Sequence, residues 1–418
     1  MERATYLAMT AAQGDDIALS AQERMRHIHL FGATGMGKST LLKSIIHQDI
    51  VSGDGVFLVD PHGDLAEYAL DVTPAWRTNQ VCYFCPFDLE RPVGFNVLES
   101  APTDDRPKVA ESVVTALRGI WGDSWGPRME DILRYSLLAL LAMPSASLAM
   151  LGPFLTNDAY RRRVLAHCSD DYVIARFVNE FDPVPERTRL EWINPILNKT
   201  NAFMSSPALR NILGQSRSTL RLSHAMKHGH IVIANLAQGL IGDAPSSYLG
   251  ALLIAQVKTA IMARAALPEQ ERRPFHLIVD EIQLFGTELL ASIYSEARKY
   301  ALSITAANQH SSQLSERVRD TILGNAGTIA AFRVGPDDAD LLARRYQMEP
   351  SGLIEQSVGE LFINGRAART YDPPETQGSA ERVRAQSRYR YGKSRADVEA
   401  RLTKALVNAT VLANSSAR

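Results

Sequence analysis

The chain of 418 residues is 45% hydrophobic and 22% charged, a globular composition long enough for one large domain or two smaller ones. Its formal net charge of −1 excludes the global basic field of a dedicated nucleic-acid-binding or membrane-surface protein. Any site for a polyanion therefore has to come from a local cluster of basic residues.

The cysteines and the apolar runs indicate a soluble, cytoplasmic protein. Three cysteines are an odd number and too few for a disulfide framework, which favours a reducing compartment. Cys82 and Cys85 form a C-x-x-C pattern, but no second Cys or His pair stands at ligand spacing, so we interpret both as buried strand cysteines. No secretory signal opens the sequence. The best transmembrane candidate, residues 135–143, is far shorter than the roughly 20 apolar residues of a membrane span.

The first hundred residues predict alternating strands and helices. The apolar runs "HIHLFG", "GVFLVD" and "QVCYFC" predict strands, and residues 38–51 and 64–70 predict the helices between them. Short strands separated by helices are typical of a mainly parallel sheet with crossover helices. We therefore predict that residues 1–100 form the first part of an α/β nucleotide-binding core.

From residue 101 to residue 222 the apolar spacing is helical, which predicts an all-α insert. Strands resume in residues 223–372 with "HIVIANL", "FHLIVDE", "LSITAANQ" and "GTIAAFRVG", and helices are predicted at residues 246–265 and 288–300. Asn364 and Gly365 stand between two β-like runs and predict a hairpin. Residues 373–418 predict a basic C-terminal tail with a flexible lead-in and one surface helix.

The segment "GATGMGKST" matches the phosphate-binding pattern G-x-x-x-x-G-K-[ST] between a predicted strand and a predicted helix. Its glycines let the backbone curl so that N–H groups and the helix N-terminus face the phosphates. Lys38 would reach the β- and γ-phosphates, Ser39 would bind Mg²⁺, and Thr40 would support the α-phosphate. The remaining predicted nucleotide contacts come from the loop itself, at Thr34, Gly35, Met36 and Gly37.

A phosphate-binding loop needs a carboxylate site, which we expect at the end of a strand that neighbours the loop's own strand. "FHLIVDE" supplies it, because this apolar strand ends in Asp280 and Glu281. Asp280 would hold Mg²⁺ through water, and Glu281 would polarise the attacking water as general base. Two adjacent acids at the end of a buried strand are costly without cations, so packing does not explain them.

The segment "GVFLVDPHGDL" also ends a strand with acids, but here structural roles compete with functional ones. We interpret Asp64 as a helix cap and Asp60 as a turn residue, with a supporting position near the phosphates as the alternative for Asp60. His62 is interpreted as structural.

Further polar residues fit a γ-phosphate sensor and an arginine finger. Asn308 and Gln309 end the strand "LSITAANQ", where a side chain can face the nucleotide. Arg298 in "EARKY" and Arg333, placed on the strand "AFRVG", are the finger candidates, with solvated surface arginines as the alternative. The guanine signature N-K-x-D is not matched, since "NKTN" lacks the Asp and lies in the helical insert. The residues by themselves predict an ATPase.

Several stretches together resemble the coupling ATPases of conjugative type IV secretion systems, within the HerA–FtsK class of hexameric DNA-pumping ATPases. The matching stretches are "RHIHLFGATGMGKSTLL", "FLVDPHGDL", "NPILNKTNAFMSSPALRNILGQ", "IVIANLAQGLIGD", "FHLIVDEIQLF", "EARKYALSITAANQ" and "GNAGTIAAFRVG". They cover roughly residues 25–345 in the order of the family. The helical insert lies where coupling proteins carry their all-α domain.

The resemblance implies a RecA-like P-loop core, ATP and Mg²⁺ as ligands, and assembly into a homo-oligomer, with a hexamer as the expected form. It implies that Arg298 is the finger inserted into the neighbouring subunit's site and that Gln309 is the sensor glutamine, which makes Arg333 a secondary candidate. Because such a finger acts in trans, an isolated monomer is expected to be a poor ATPase.

One feature departs from the family pattern. Membrane-anchored coupling proteins begin with transmembrane helices, whereas only about 30 residues precede the P-loop in this sequence. We therefore expect a soluble relative on a mobile element, or a cytosolic DNA translocase of the HerA type.

DNA is the expected substrate, contacted through its phosphates and therefore independently of sequence. The C-terminal segment interleaves Tyr389 and Tyr391 with basic residues and is interpreted as either a DNA contact or a solvated tail. The leading prediction is a DNA-translocating ATPase motor, with a relaxase, nuclease or secretion channel as partner. The alternative is an ATP-gated assembly or partner-switching protein of a secretion or defence system that moves no DNA.

Overall fold

A computed structural model of the protein describes residues 4–99, 103–122 and 125–415. The strands are β1 (Ala4–Thr10), β2 (Asp16–Ser20), β3 (Ile28–Phe31), β4 (Gly55–Asp60), β5 (Val81–Phe84), β6 (Ile231–Asn235), β7 (Phe275–Val279), β8 (Leu302–Asn308), β9 (Thr328–Ala331), β10 (Glu360–Ile363) and β11 (Arg366–Thr370).

The α-helices are α1 (Ala21–Arg24), α2 (Lys38–Val51), α3 (Asp64–Asp71), α4 (Arg106–Trp121), α5 (Pro127–Ala142), α6 (Leu151–Thr156), α7 (Asp158–Leu165), α8 (Asp171–Ala175), α9 (Glu186–Met204), α10 (Pro207–Leu213), α11 (Leu222–His228), α12 (Gln238–Ile241), α13 (Asp243–Ala263), α14 (Thr287–Glu296), α15 (Glu316–Asn325), α16 (Pro336–Tyr346), α17 (Ser351–Ile354), α18 (Ala380–Tyr391) and α19 (Arg395–Ser415). A π-helical segment follows α8 at Arg176–Phe181, and a 3-10 segment follows α14 at Ala297–Tyr300.

The strands of the described residues form one 11-stranded sheet in the order β2-β1-β11-β10-β9-β3-β8-β7-β4-β6-β5. The strands from β9 to β5 in this order are parallel. The remaining four strands extend the sheet in antiparallel fashion from β9. The prediction of an α/β fold with a mainly parallel, RecA-like sheet is confirmed.

The parallel strands are mostly apolar, and the polar residues within them, such as His29, Ser303 and Asn308, are buried, as expected for a parallel sheet with both faces covered. Every residue of β3, β4, β7 and β8 is buried. The polar side chains that these strands bring to the protein surface therefore stand after their last residues. This places candidate functional groups at the carboxyl edge of the sheet.

The strand order corrects one expectation of the sequence analysis. The strand that ends in the acid pair, β7, does not neighbour the P-loop strand, β3; strand β8 lies between them. The registers bring Phe31 of β3 opposite Asn308 of β8, and Val279 of β7 opposite Ala306 of β8. Strand order depends on long-range pairing, which no local pattern encodes.

The antiparallel extension was found only in part from the sequence. The hairpin at Asn364 and Gly365 is confirmed, with φ angles of 48° and 81° that match a two-residue turn between β10 and β11. The hairpin of β1 and β2 was missed. These strands are near the sheet edge and half exposed, so their apolar alternation is weak.

The chain divides into two compact units. The first unit contains the sheet and comprises Met1–Phe84, Leu222–Gly242 and Ala260–Tyr389. The second comprises Cys85–Arg221, Asp243–Thr259 and Arg390–Arg418. Within its described part the second unit is helical and contains none of the strands of the sheet. The helical character predicted for residues 101–222 is therefore confirmed where the structure describes them, whereas the predicted domain limits stay predictions.

Three predicted elements differ from the structure. The helix predicted at residues 246–265 is α13, which begins at Asp243, and the helix predicted at residues 288–300 ends at Glu296 and continues as a 3-10 segment. The single surface helix predicted after residue 373 is wrong. Two helices, α18 and α19, are present there, and each buries apolar residues, including Val383 and Leu402.

Among the described residues, one helical stretch, Asp243–Ala266, is long and apolar enough to cross a membrane. The weaker candidate at residues 135–143 was therefore not the best one in the sequence. Of the most apolar window of Asp243–Ala266, 61% is buried inside the protein, as in the core helix of a soluble domain. Leu249, Leu253 and Ile261 are completely buried.

The three cysteines are free thiols, and Cys82 is buried in β5 as predicted. Cys85 is half-buried and follows the strand instead of lying in it. Burial raises the pKa of the Cys82 thiol, and it raises the pKa of Cys168 to about 11. Thiols of this kind are unreactive at neutral pH.

Two buried histidines make the stability of the sheet unit sensitive to acid. His27 accepts a hydrogen bond at Nδ1 from the Ile304 amide, 3.1 Å away, so its neutral tautomer is part of the fold. His29 lies between the hydroxyl of Tyr294 and the side-chain oxygen of Asn308. Burial lowers the pKa of each imidazole from 6.5 to about 4.

We expect the free energy of unfolding to fall as the pH is lowered from 6.5 towards 4, because the unfolded chain binds protons that the folded chain excludes. The slope is about 1.4 kcal/mol per pH unit for each histidine. Urea unfolding at several pH values checks this, with His29→Gln expected to lose about half of the slope. Exchanging an exposed histidine, His167→Gln, serves as the control; equal slopes in the two variants would contradict the assignment.

Candidate nucleotide-binding and catalytic site

The P-loop spans residues 32–37, between the end of β3 at Phe31 and the start of α2 at Lys38. Gly37 has φ 117°, a conformation that L side chains rarely adopt. At Gly32 a Cβ atom would stand 2.6 Å from Cβ of Phe332. Both glycines are therefore required by the backbone path of the loop.

The N-terminus of α2 presents amide groups that the protein does not use. The N–H groups of Gly37, Lys38, Ser39 and Thr40 have no hydrogen-bond partner among the described residues. Together with the positive end of the helix dipole they form an anion site. Thr34, Gly35 and Ser39 are exposed at this site. The geometry is that of a phosphate cradle.

Lys38 lies folded back over the loop. Its ammonium nitrogen donates to the carbonyl oxygen of Gly32 at 2.5 Å and to that of Ala33 at 3.3 Å. Burial lowers the pKa of Lys38, and the carboxylates of Glu281 and Asp280 oppose this shift. The ammonium therefore lies where phosphate oxygens can replace the two carbonyl contacts.

Two backbone contacts hold the P-loop from the side of β9 and β10, and the sequence analysis missed both. The Ala33 amide donates to the carbonyl oxygen of Arg333 at 2.9 Å, and the Gly359 amide donates to that of Met36 at 3.0 Å. The Met36 side chain is 2% exposed, so this residue offers a ligand its amide and not its side chain.

The acid pair follows β7 directly, and both residues are nearly buried, at 6% exposure each. Asp280 accepts a hydrogen bond from the amide of Glu281 at 3.1 Å. Burial raises the pKa of Asp280 to about 6, and the neighbouring carboxylates of Glu281 and Asp60 add to this shift. Such a concentration of buried acids is stabilised by a nearby cation.

Glu281 is held in one position by its backbone and by two amides. Its φ of 48° and ψ of 59° lie in the left-handed region, which is unusual for a residue other than glycine and typical of functional sites. Gln283 donates to one carboxylate oxygen at 2.6 Å, and Gln309 donates to the other at 3.1 Å. The carboxylate is therefore fixed at the edge of the sheet.

The structure thus brings Gln309 and Glu281 together, because β8 pairs with β7 and Gln309 directly follows β8. Gln283 was missed by the sequence analysis, although its position two residues after the acid pair was a usable signal. Asn308 is not a nucleotide-facing group: it is completely buried, binds His29 at 2.8 Å and donates to the carbonyl oxygen of His310.

Asp60 is the capping and turn residue of the loop after β4. One of its carboxylate oxygens accepts from the His62 amide and the other from the Ala66 amide, each at 2.9 Å. The interpretation of Asp64 as the helix cap is wrong, since Gly63 stands at the cap position and the side-chain bond comes from Asp60. The charge of His62, an exposed residue, opposes the raised pKa of Asp280.

The two arginine candidates lie at opposite ends of the parallel strands, Arg298 before the start of β8 and Arg333 after the end of β9. Arg298 is exposed in the 3-10 segment before β8, near His27, whose pKa its charge helps to lower. The seven residues of β8, about 20 Å of extended chain, separate it from Gln309. Arg333 was wrongly placed on a strand: β9 ends at Ala331, and Arg333 follows it as an exposed residue beside the P-loop.

The donor set fits Mg²⁺ bound together with phosphates. The hydroxyl of Ser39 and the carboxylate of Asp280 could supply oxygen ligands, since Mg²⁺ characteristically takes few protein ligands and completes its shell with water and phosphate. No group of three or more His, Cys, Asp or Glu side chains in the described part of the chain could hold a metal ion by itself.

Comparison with protein families and solved structures identifies the fold. The family described as Helicase HerA, central domain, matches residues 9–101, which contain the P-loop. A structure of the bacterial conjugative coupling protein TrwBdeltaN70 superposes with a TM-score of 0.65 at 15% identity, over 90% of this chain and 91% of that chain. The chain has the fold of the conjugative coupling ATPases. The resemblance to this class seen in the sequence is confirmed.

Two further structures agree. TrwB in complex with the non-hydrolysable ATP analogue ADPNP superposes with a TM-score of 0.64 at 17% identity, over 90% of this chain and 91% of that chain. VirB4 of Thermoanaerobacter pseudethanolicus superposes with a TM-score of 0.57 at 14% identity, over 88% and 96%. No curated protein sequence matches this chain significantly. The likeness therefore shows the fold, which in TrwB holds a nucleotide.

Proposed function

We propose that the protein hydrolyses ATP to ADP and phosphate in a Mg²⁺-dependent reaction. The main support for the proposal is the carboxylate of Glu281, which the side-chain amides of Gln283 and Gln309 hold in one position at the same edge of the sheet as the P-loop. A structure of TrwB with ADP and Mg²⁺ supports the assignment of both ligands.

The residues of this chain supply each part of such a reaction. The free amides of residues 37–40 and the Lys38 ammonium bind the β- and γ-phosphates. Ser39 and Asp280 would hold Mg²⁺, which would supply positive charge next to the phosphates. Glu281 accepts a proton from the attacking water, and Gln309, bonded to the same carboxylate, orients that water towards the γ-phosphate.

The arginine finger is proposed to come from a neighbouring subunit. Arg298 lies about 20 Å along β8 from Gln309, too far for an arginine side chain to reach the site of its own subunit. Placed at a subunit boundary, its exposed guanidinium can enter the site of the next subunit in a head-to-tail ring. A hexamer is the proposed assembly, in keeping with the class.

DNA translocation is the proposed use of the hydrolysis energy. The fold shared with a conjugative coupling protein supports it, and contact through DNA phosphates requires no base-reading element. We propose a cytoplasmic location and a relaxase, nuclease or secretion channel as partner. The alternative, a nucleotide-gated partner-switching protein, needs the same ATPase site but no DNA.

The role of Glu281 is tested by the variant Glu281→Gln, which keeps the size of the side chain and removes the base. We expect kcat for phosphate release to fall by about a hundredfold or more while ATP still binds. Glu288→Gln, an exposed glutamate on α14, is the matched control. Hydrolysis at the wild-type rate by Glu281→Gln would exclude the general-base role.

The trans position of Arg298 is tested by mixing two inactive proteins. Arg298→Ala and Lys38→Ala are each expected to lose activity, because a finger is worth about 10³-fold or more in kcat. Rings that contain both variants are expected to regain part of the activity. At some interfaces the Arg298→Ala subunit supplies an intact Lys38 and the Lys38→Ala subunit supplies an intact Arg298. Lys299→Ala, the exposed neighbour, is the control. Absence of recovery in rings shown to mix would place the finger elsewhere.

The motor itself is tested by the ATPase rate with and without DNA, with the mass of the assembly measured in the same buffer. We expect stimulation by DNA that weakens as salt rises, because the contacts are to phosphates. A rate unchanged by single- and double-stranded DNA in an assembled ring would exclude the motor and favour the partner-switching alternative.

A further inference from the structure

The helical unit contains a cleft of about 640 Å³ that the proposed ATPase reaction does not use. Its walls are residues 145–150 before α6, residues 214–221 after α10, and residues 393–405, which lead into α19 and form its first turns. All of these segments belong to the same compact unit. The volume is in the range of small-molecule sites, roughly 300–1,000 Å³.

The cleft carries an excess of positive charge. Arg217, Lys393 and Arg401 line it as exposed residues, and their side chains have no ion pair or hydrogen bond with any described residue. A fourth cation, Arg221, makes a long contact of 3.9 Å with Glu99. One carboxylate, Asp397, also lines the cleft. Unpaired cations in a concave surface attract an anionic ligand.

An accessible hydroxyl also lines the cleft. The Ser147 side chain makes no capping hydrogen bond, and its oxygen is not one of the fully buried polar atoms that lack a partner. A ligand oxygen in the cleft can therefore accept a hydrogen bond from it. Beside it the cleft is apolar, lined by Met150, Val398 and Leu402. Cations next to an apolar floor suit a ligand with a phosphate and an aromatic ring.

The walls of the cleft are fixed in advance. The side-chain amide of Asn96 donates to the carbonyl oxygens of Ala146 and Ser216 at 2.7 and 3.0 Å, which joins two walls. The amide of Asn211 donates to Glu399 at 3.1 Å, which joins α10 to the third wall. A ligand therefore meets a formed site and orders little chain on binding.

We propose that this cleft binds a nucleotide, with the phosphate at Arg217 and Arg401 and the base against the apolar floor at Leu402. The same chemistry is offered by a free mononucleotide and by a nucleotide within a single DNA strand. The site is distinct from the P-loop and goes beyond the proposed motor, because it does not depend on ATP hydrolysis.

The test uses the full chain and two probes. Fluorescein-labelled d(T)6 is followed by anisotropy, and dTMP, which lacks the β-phosphate that a P-loop binds, is added as competitor and also titrated by calorimetry. The double variant Arg217→Glu/Arg401→Glu is expected to bind at least about tenfold more weakly, about 1.4 kcal/mol. Arg163→Glu/Arg187→Glu, exposed residues of the same unit with the same change in charge, is the control.

A second variant removes the hydroxyl without changing the charge. Ser147→Ala is expected to weaken binding about threefold, and all variants keep the ATPase rate measured without DNA. Binding of dTMP assigns the free nucleotide as ligand, and binding of d(T)6 alone assigns the strand. Binding of neither probe overturns the proposal. Equal loss in the control pair, or no loss in Arg217→Glu/Arg401→Glu, overturns it as well.

Discussion

The hydrogen bond between Gln309 and Glu281 depends on the position of one strand, β8, between the P-loop strand and the acid strand. Parallel strands end at a common edge, so an inserted strand places the residue that follows it between the phosphate loop and the acid pair. The 3.1 Å contact is the result. Without this order, Glu281 would lack one of the two amides that hold its carboxylate.

The remaining parts of the sheet unit support the same edge. The left-handed backbone at Glu281 turns the chain sharply after β7, and the Asp60 carboxylate closes the adjacent loop by accepting two backbone amides. On the other side, the backbone of Arg333 and Gly359 fixes the P-loop. A buried cluster of acids and a lysine is thereby kept in place by hydrogen bonds from uncharged amide donors, which bring no additional charge into the interior.

How much of this could be predicted depends on whether the signal is local. The P-loop and the acid pair are short patterns with fixed chemistry, and the strands that carry them are continuous apolar runs, so sequence was sufficient. The contacts of Arg333 and Gly359 use backbone atoms, which leave no mark on residue type. The exclusion of Asn308 from the site required knowing that the His29 side chain of the adjacent strand binds it, a contact set by strand pairing. The break between α18 and α19 was not predicted, because helix-forming residues stand on both sides of it.

Strand β8 carries the finger candidate Arg298 ahead of its first residue and the sensor candidate Gln309 after its last. All seven residues of this strand are buried, and both of its neighbours pair with it in parallel. Such a strand is stiff along its axis. In the proposed ring, a displacement of Gln309 on loss of the γ-phosphate would shift Arg298 as part of the same rigid body. The nucleotide sites of neighbouring subunits would then be linked mechanically. The order in which they hydrolyse ATP around the ring would depend on the position of this one strand.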